Sequence, residues 1–110
     1  MSFEVIVTEP FERKYKQLAK KYPSLPGDLA VLVEELTKYP QTGIPLGKDC
    51  YKLRIAISSK GKGKSAGARL ITYVLMVRKK VFLLDMYDKS DRINITHKEL
   101  KLLISLLQNK

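Results

Sequence analysis

The spacing of apolar residues changes from helical to alternating near the middle of this chain, and this change restricts the possible folds more than any other feature. From Phe11 to Pro40 the apolar residues recur every three or four positions, as on one face of an α-helix. From Tyr51 to Tyr87 they alternate with polar residues or form short β-branched runs, which is typical of strands. Helices and strands are therefore segregated along the sequence, which predicts an α+β fold.

Three prolines mark the limits of two helices. The run Phe3–Thr8 predicts a strand, and Pro10 fits the first turn of the helix that follows it. Pro23 ends that helix, and Pro40 ends a second helix that begins near Leu25. The short link between them predicts an antiparallel helical hairpin. The predicted core-facing residues are Phe11, Tyr15, Leu18 and Tyr22 in the first helix and Leu25, Leu29, Leu32, Val33 and Leu36 in the second.

The second half of the chain predicts three more strands and a last helix. Residues 41–49 contain glycines and a proline and predict a loop, after which residues 51–57 alternate as in a strand. Ala68–Val77 and Val81–Tyr87 predict a β-hairpin around a basic turn, and a capping box from Thr96 predicts the start of the helix. The predicted order is β-α-α-β-β-β-α, with a largely antiparallel sheet of about four strands covered on one face by the helical hairpin.

Length and composition narrow the class of protein. The 110 residues predict a single domain, residues 1–110. The chain lacks the run of about 18 apolar residues that a membrane span needs, and its first residues do not resemble an export signal. With only Cys50 and His97, the sequence predicts no internal disulfide, no metal site and no cofactor. These features together indicate a cytoplasmic protein.

The positive charge is concentrated in one segment. The net charge is +10, yet residues 1–49 contain seven basic and seven acidic side chains. Residues 50–84 contain nine basic and no acidic side chains. Charge of one sign on neighbouring elements attracts a polyanion such as nucleic acid. The alternative is a solvated basic face without a ligand.

Three segments carry a family resemblance. YKLRIAI, SSKGKGKSAGARLITYVL and VFLLDMYDKSD, taken with the element order, resemble toxins of the RelE/ParE superfamily and, within it, the HigB-like branch. The resemblance implies a RelE-like fold and a toxin of a type II toxin–antitoxin system, held inactive by a cognate antitoxin protein. It also implies a ribosome-dependent mRNA endonuclease that inhibits translation. ParE-like relatives instead inhibit DNA gyrase without cutting nucleic acid, which is the alternative function.

Metal-independent RNA cleavage needs an aligned 2′-hydroxyl, a group that takes its proton, and cations that stabilise the phosphorane. Arg54 lies on the polar side of its strand and Arg69 begins the next, so both are predicted to bind the scissile phosphate. The alternative is that these arginines form ion pairs with Asp85 or Asp88.

Lysines supply the other predicted contacts. A lysine whose pKa is lowered by like charges is the available type of base, and Lys64 is the predicted catalytic lysine. Residues Ser58–Gly67 predict a loop, in which glycines between Lys60, Lys62 and Lys64 permit close approach to a ligand. A nucleotide-binding P-loop is excluded because Ser58 stands where that motif requires glycine. The residues predicted to contact RNA or the ribosome are Lys52, Lys60, Lys62, Lys89 and Lys98.

One aromatic residue completes the predicted site, and the histidine is not assigned to it. Tyr87 ends its strand and is predicted to stack on an unpaired base, the alternative being a half-buried strand-end tyrosine. His97 reads as a surface residue of the last helix, without a catalytic partner. A plain RNA-binding module is a third hypothesis, but the chain lacks the aromatic and glycine-rich strand motifs of the commonest kind.

Overall fold

The computed structural model describes residues 2–60, 67–90 and 94–108. Its strands are β1 (Glu4–Val7), β2 (Ile44–Gly47), β3 (Cys50–Ile55), β4 (Ala68–Leu75) and β5 (Lys80–Asp88). Its α-helices are α1 (Glu9–Lys21), α2 (Leu25–Lys38) and α3 (His97–Gln108). Short 3₁₀ turns follow β3 at Ser58–Lys60 and β4 at Met76–Arg78. The predicted α+β class and the predicted helical hairpin are confirmed.

The five strands form one sheet in the order β1-β5-β4-β3-β2. Only the contact between β1 and β5 is parallel, and the other strand pairs are antiparallel. The parallel contact arises because α1 and α2 lie between β1 and the rest of the sheet in sequence, which leaves β1 to pair at the far side of β5.

Residues 41–49 are not only the predicted loop, because they contain the edge strand β2. Its residues pair with β3, Ile44 opposite Lys52 and Gly47 opposite Cys50, with a register shift between Pro45 and Gly47. Proline and glycine are loop signals within a central strand, but an edge strand tolerates both, since one of its backbone edges needs no partner. The sheet therefore has five strands instead of about four.

Two apolar clusters cover the two faces of the sheet. The first packs the helical hairpin on the sheet and contains the predicted residues Phe11, Leu18, Leu25, Leu29 and Leu36 together with Leu53 and Ile55. The second packs α3 on the other face and contains Cys50, Ile71, Leu84, Tyr87 and Leu100. Alternation along each strand sends successive side chains to opposite clusters, which decides where every charged strand residue points.

Capping interactions set the ends of the helices. The Thr8 hydroxyl accepts a hydrogen bond from the Phe11 amide at the start of α1, at 3.5 Å. At α3 the predicted capping box is formed: the Thr96 amide donates to Glu99 at 3.0 Å, and the Glu99 amide donates to the Thr96 hydroxyl at 3.1 Å. Among the described residues, no helix is both long enough and apolar enough to cross a bilayer.

Candidate functional site

Two arginines and a tyrosine form a row across three neighbouring strands. Arg54 of β3 lies directly opposite Arg69 of β4, and Arg69 lies directly opposite Tyr87 of β5. Directly opposed residues of antiparallel strands project from the same face, with Cβ atoms about 5 Å apart. The arginine row, as we call Arg54, Arg69 and Tyr87, therefore lies on the face that carries α3, at the end of the sheet where β3 and β5 finish.

The charges of the row are not neutralised by acidic neighbours within the described residues. Arg69 is only 7% exposed, and the one hydrogen bond that its side chain donates within the described residues is a long one of 3.5 Å to the Ala68 carbonyl. The ion pairs formed within residues 2–60, 67–90 and 94–108 involve Lys16 and Lys21 and neither arginine. Two like charges thus stand side by side, one of them buried, which is an arrangement suited to an anion shared between them.

The ion pairs that the sequence offered as an alternative are not formed in the described part of the chain. Asp88 lies opposite Ala68, so its side chain is on the sheet face away from the arginines. There it accepts hydrogen bonds from the Tyr22 hydroxyl at 2.7 Å and from Ser90 at 3.0 Å. Asp85 accepts a bond from the Met86 amide at 2.9 Å. Among the described residues, neither carboxylate forms an ion pair with Arg54 or Arg69.

Tyr87 is placed differently from the stacking role predicted for it. The residue is 4% exposed and belongs to the apolar cluster under α3. A ring buried in this way is not available to a nucleobase in this conformation, because strand alternation turns it under the last helix. It lies directly opposite Arg69 in the strand pair, on the same face of the sheet.

The predicted lysines fall into three groups. Lys52 lies on the same face as Arg54, two residues earlier in β3, and donates to the Asn94 side chain at 3.3 Å, just before α3. Lys89 is exposed in the turn that follows β5, two residues after Tyr87, and Lys98 is exposed in the first turn of α3. The Lys60 side chain and residues Lys62 and Lys64 lie outside the described residues. His97 is exposed at the start of α3, as predicted.

A hydrogen-bonded network that was not predicted from the sequence fixes Ser58 and Ser59, which follow β3 and precede the lysine-rich residues 60–64. The Asp28 carboxylate accepts bonds from the Ser58 hydroxyl at 2.7 Å, the Ser58 amide at 2.9 Å and the Ser24 hydroxyl at 2.8 Å. The Ser59 amide donates to the Ser24 oxygen at 2.8 Å. Ser24 and Asp28 are four positions apart, but 30 positions separate Asp28 from Ser58 and 35 separate Ser24 from Ser59, and no local sequence pattern indicates a contact at that separation.

The Asp28 network constrains Ser58 before residues 61–66, and a close approach of backbone atoms constrains Gly67 after them. Burial alone would raise the pKa of Asp28, but the hydrogen bonds from Ser58 and Ser24 outweigh it and leave that pKa below its usual value. Where the chain returns, a Cβ added to Gly67 would lie 2.0 Å from the Ile55 carbonyl oxygen, so this position requires glycine. Ser58 and Gly67, which precede and follow residues 61–66 in sequence, therefore both lie close to the end of β3 that carries Arg54.

Cys50, the one cysteine, takes no part in this site. It is buried in the second cluster, and burial, with a smaller contribution from Asp49, raises the pKa of its thiol to about 11. A thiol with so high a pKa is protonated near neutral pH and is a weak nucleophile.

The basic segment 50–84 does not form one continuous patch. Lys52, Arg54 and Arg69 lie toward the end of the sheet where β3 finishes, whereas Arg78, Lys79 and Lys80 lie at the opposite end, where β4 turns into β5. Six residue steps along β4 from Arg69 to Leu75 correspond to roughly 20 Å. The charge that is continuous in sequence is thus divided between two ends of the molecule.

Comparison with known proteins identifies the same architecture. Residues 11–108 match the family model described as the RelE toxin of the RelE/RelB toxin–antitoxin system. Among solved structures, the free-state structure of an E. coli toxin RelE mutant, with two arginines replaced by alanine, aligns with a TM-score of 0.62. The alignment covers 96% of this chain and 97% of that chain at 18% sequence identity. At this identity the structural likeness concerns the fold.

Proposed function

This chain belongs to the RelE family of toxins of toxin–antitoxin systems, and on that premise we propose that it is a ribosome-dependent mRNA endonuclease that inhibits translation. A toxin of this family has a cognate antitoxin as its partner. We further propose that it acts in the cytoplasm without a metal ion or other cofactor. Its assignment to the HigB-like branch stays a prediction.

One observation supports the proposal more than any other: Arg54 and Arg69 are directly opposed on one face, without an acidic partner among the described residues. Holding two guanidinium groups together costs free energy unless an anion is shared between them. The phosphate to be cleaved in RNA is such an anion, and it gains charge on its oxygens as the phosphorane forms.

We assign the chemical roles as follows. Arg54 and Arg69 bind the scissile phosphate and stabilise the phosphorane, while the adjacent 2′-hydroxyl oxygen attacks phosphorus. A loop lysine, for which Lys64 is our candidate, takes the proton of that hydroxyl. The P–O bond to the 5′-oxygen breaks, that oxygen takes up a proton, and a 2′,3′-cyclic phosphate remains. Tyr87 acts as a positioning residue that supports Arg69.

The surrounding lysines are proposed to hold the RNA. Lys52 and Lys98 flank the start of α3, and Lys89 follows the strand end that carries Tyr87. Lys60 and Lys62 come shortly after Ser58 and Ser59 in sequence and are assigned to the phosphate backbone. Contacts of this kind add affinity and depend steeply on salt without reading sequence.

The absence of the usual acid and base residue types from residues 50–84 supports dependence on the ribosome. Residues 50–84 contain no histidine and no carboxylate, which are the usual general acids and bases. With catalysis based on charge stabilisation, a strong gain comes from a substrate that is already held in line for attack. A message bound in the ribosome is constrained in this way, whereas free RNA is not.

The test is a translation extract to which purified protein is added, followed by mapping of 5′ ends on the message. We expect cuts in phase with codons, few cuts in the same RNA without ribosomes, and loss of cutting in the double variant Arg54→Ala/Arg69→Ala. Lys20→Ala/Lys101→Ala is the matched control, since it removes two exposed charges that are not among the residues assigned to the site. Far-UV circular dichroism checks that both variants are folded.

Two outcomes contradict the proposal. Continued cutting by the arginine double variant would show that the site lies elsewhere. If the message stays intact and the protein instead inhibits DNA supercoiling by gyrase, the result would support the gyrase-inhibitor alternative.

A further inference from the structure

A second basic surface lies at the end of the sheet opposite the arginine row. It is formed by exposed or half-exposed cations on three separate elements: Lys38 at the end of α2, Lys48 in the β2–β3 turn, and Arg78 and Lys80 around the β4–β5 turn. None of these four forms an ion pair with another described residue. We call Lys38, Lys48, Arg78 and Lys80 the distal surface.

Backbone hydrogen bonds fix these elements against one another. The Val74 amide donates to the Asp49 carbonyl at 2.9 Å, which joins the β2–β3 turn to β4. The Glu4 amide donates to the Lys79 carbonyl at 2.9 Å, and the Phe3 amide donates to the Thr37 carbonyl at 2.8 Å. The start of β1 thus connects the β4–β5 turn to the end of α2, so the distal cations keep their spacing.

Exposed apolar groups stand among these cations. Val77, at the tip of the β4–β5 turn, is 89% exposed, its neighbour Met76 is 50% exposed, and the Tyr39 ring is 66% exposed. Acidic side chains also lie at this end: Glu4 directly opposite Lys80, Asp49 directly after Lys48, and Glu34 one helical turn before Lys38. The four cations and the neighbouring Lys79 outnumber these three among the described residues, so positive charge remains in excess. A rigid basic surface with an exposed aromatic ring and apolar tip suits a structured RNA, whose phosphates pair with the cations while sugars and bases meet the apolar groups.

The arginine row and the distal surface cannot serve the same phosphate, because β4 separates them by roughly 20 Å. We infer that the distal surface is a second RNA contact, which binds a structured part of the RNA assembly while the arginine row holds the strand to be cut. The inference rests on the proposed function for its choice of partner. The distal surface supplies affinity, and the arginine row supplies cleavage.

The experiment measures binding and cutting separately for Lys48→Ala/Arg78→Ala. Both side chains are exposed in turns, so the substitutions leave the core intact, and Lys20→Ala/Lys101→Ala is again the charge-matched control. Binding to a fluorescently labelled short RNA duplex is followed by anisotropy over a range of salt concentrations. We expect a loss of affinity of about 5- to 20-fold and a log–log salt slope that is smaller by about 1.5, as for two lost phosphate contacts.

Cutting in the translation extract adds a readout that a general loss of charge would not produce. The distal variant should need more protein or more ribosomes for half-maximal cutting but reach the wild-type rate at saturation. Arg54→Ala/Arg69→Ala should show the reverse, retaining most duplex binding while losing the saturated rate.

Three outcomes would overturn the inference. The distal variant could bind the duplex as well as the charge-matched control does. It could lose the saturated cutting rate, which would place the distal surface in the cleavage machinery. The wild type could bind anionic phospholipid vesicles through these residues in preference to the duplex. The duplex-binding measurement does not require the protein to cut the message, so failure of the proposed function can be distinguished from failure of this inference.

Discussion

Replacing Arg69 by methionine should stabilise the protein while abolishing its proposed activity. Arg69 is almost fully buried, faces Arg54 across the strand pair and donates one long hydrogen bond within the described residues. Methionine keeps most of the length and apolar surface of the side chain but removes the charge. The substitution therefore relieves a repulsion that serves ligand binding and not folding.

The size of the effect follows from the geometry of the strand pair. Opposed side chains with Cβ atoms about 5 Å apart can place two guanidinium groups about 6 Å apart. An effective dielectric constant of about 20 to 40 then gives a repulsion of about 1.4 to 2.8 kcal/mol. Since Arg54 is exposed and solvent screens its charge, we expect a value below this range, about 1 kcal/mol, in the free energy of unfolding. This corresponds to a rise of about 4 °C in Tm.

Urea unfolding followed by circular dichroism measures this difference, with the m value as a check that the unfolded states are comparable. Arg78→Met is the matched control, because it removes an exposed arginine at the other end of the sheet and should change the free energy by less than about 0.5 kcal/mol. Added phosphate should raise the Tm of the wild type more than that of Arg69→Met. If Arg69→Met is less stable than Arg78→Met, the buried guanidinium is held by a favourable interaction and the reasoning is wrong.

Three further changes test other parts of the structure. Asp28→Asn should lower the free energy of unfolding by roughly 1 kcal/mol near neutral pH. Because the pKa of Asp28 is lowered in the folded protein, urea titrations should show this difference shrinking as the pH falls below the ordinary pKa of 3.8. Exposed Glu34→Gln is the control, and a difference that does not change with pH would contradict the role of the network. Thr72→Val should raise the free energy of unfolding by about 1 kcal/mol, since the Thr72 hydroxyl is buried without a hydrogen-bond partner among the described residues; a fall in Tm would indicate a bound water there. Gly67→Ala should lower it by more than about 1 kcal/mol, since the added carbon meets the Ile55 carbonyl; Gly27→Ala, where that space is open, is the control in thermal unfolding, and equal effects of the two would refute the steric argument.

Helix positions and core-facing residues were predictable from the sequence because both depend on neighbours within a few positions. The capping box at Thr96 and the apolar stripes of α1 and α2 are local patterns, and the structure forms them as predicted. Edge strand β2 was missed because proline and glycine dominate its local signal, whereas its pairing with β3 is a tertiary event.

The candidate site divides along the same line. Two arginines at the facing ends of adjacent strands can be expected to meet, and the register places Arg54 directly opposite Arg69. The burial of Tyr87 was not predictable, because strand alternation allows two faces and only the docking of α3 decides which of them is covered. The Asp28 network joins residues about thirty positions apart, beyond the range of any helical or strand period.

What the sequence determined by itself is the α+β class, the helical hairpin, the family resemblance and an excess of positive charge in residues 50–84. Tertiary structure alone decided that this charge is divided between two ends of the sheet. Each residue along a strand adds about 3.3 Å, so residues close in sequence can lie at opposite ends of a strand. It also decided that the Asp88 carboxylate lies on the sheet face away from the arginines. The direction of a side chain depends on register and on what packs above it, and neither is written in the order of residue types.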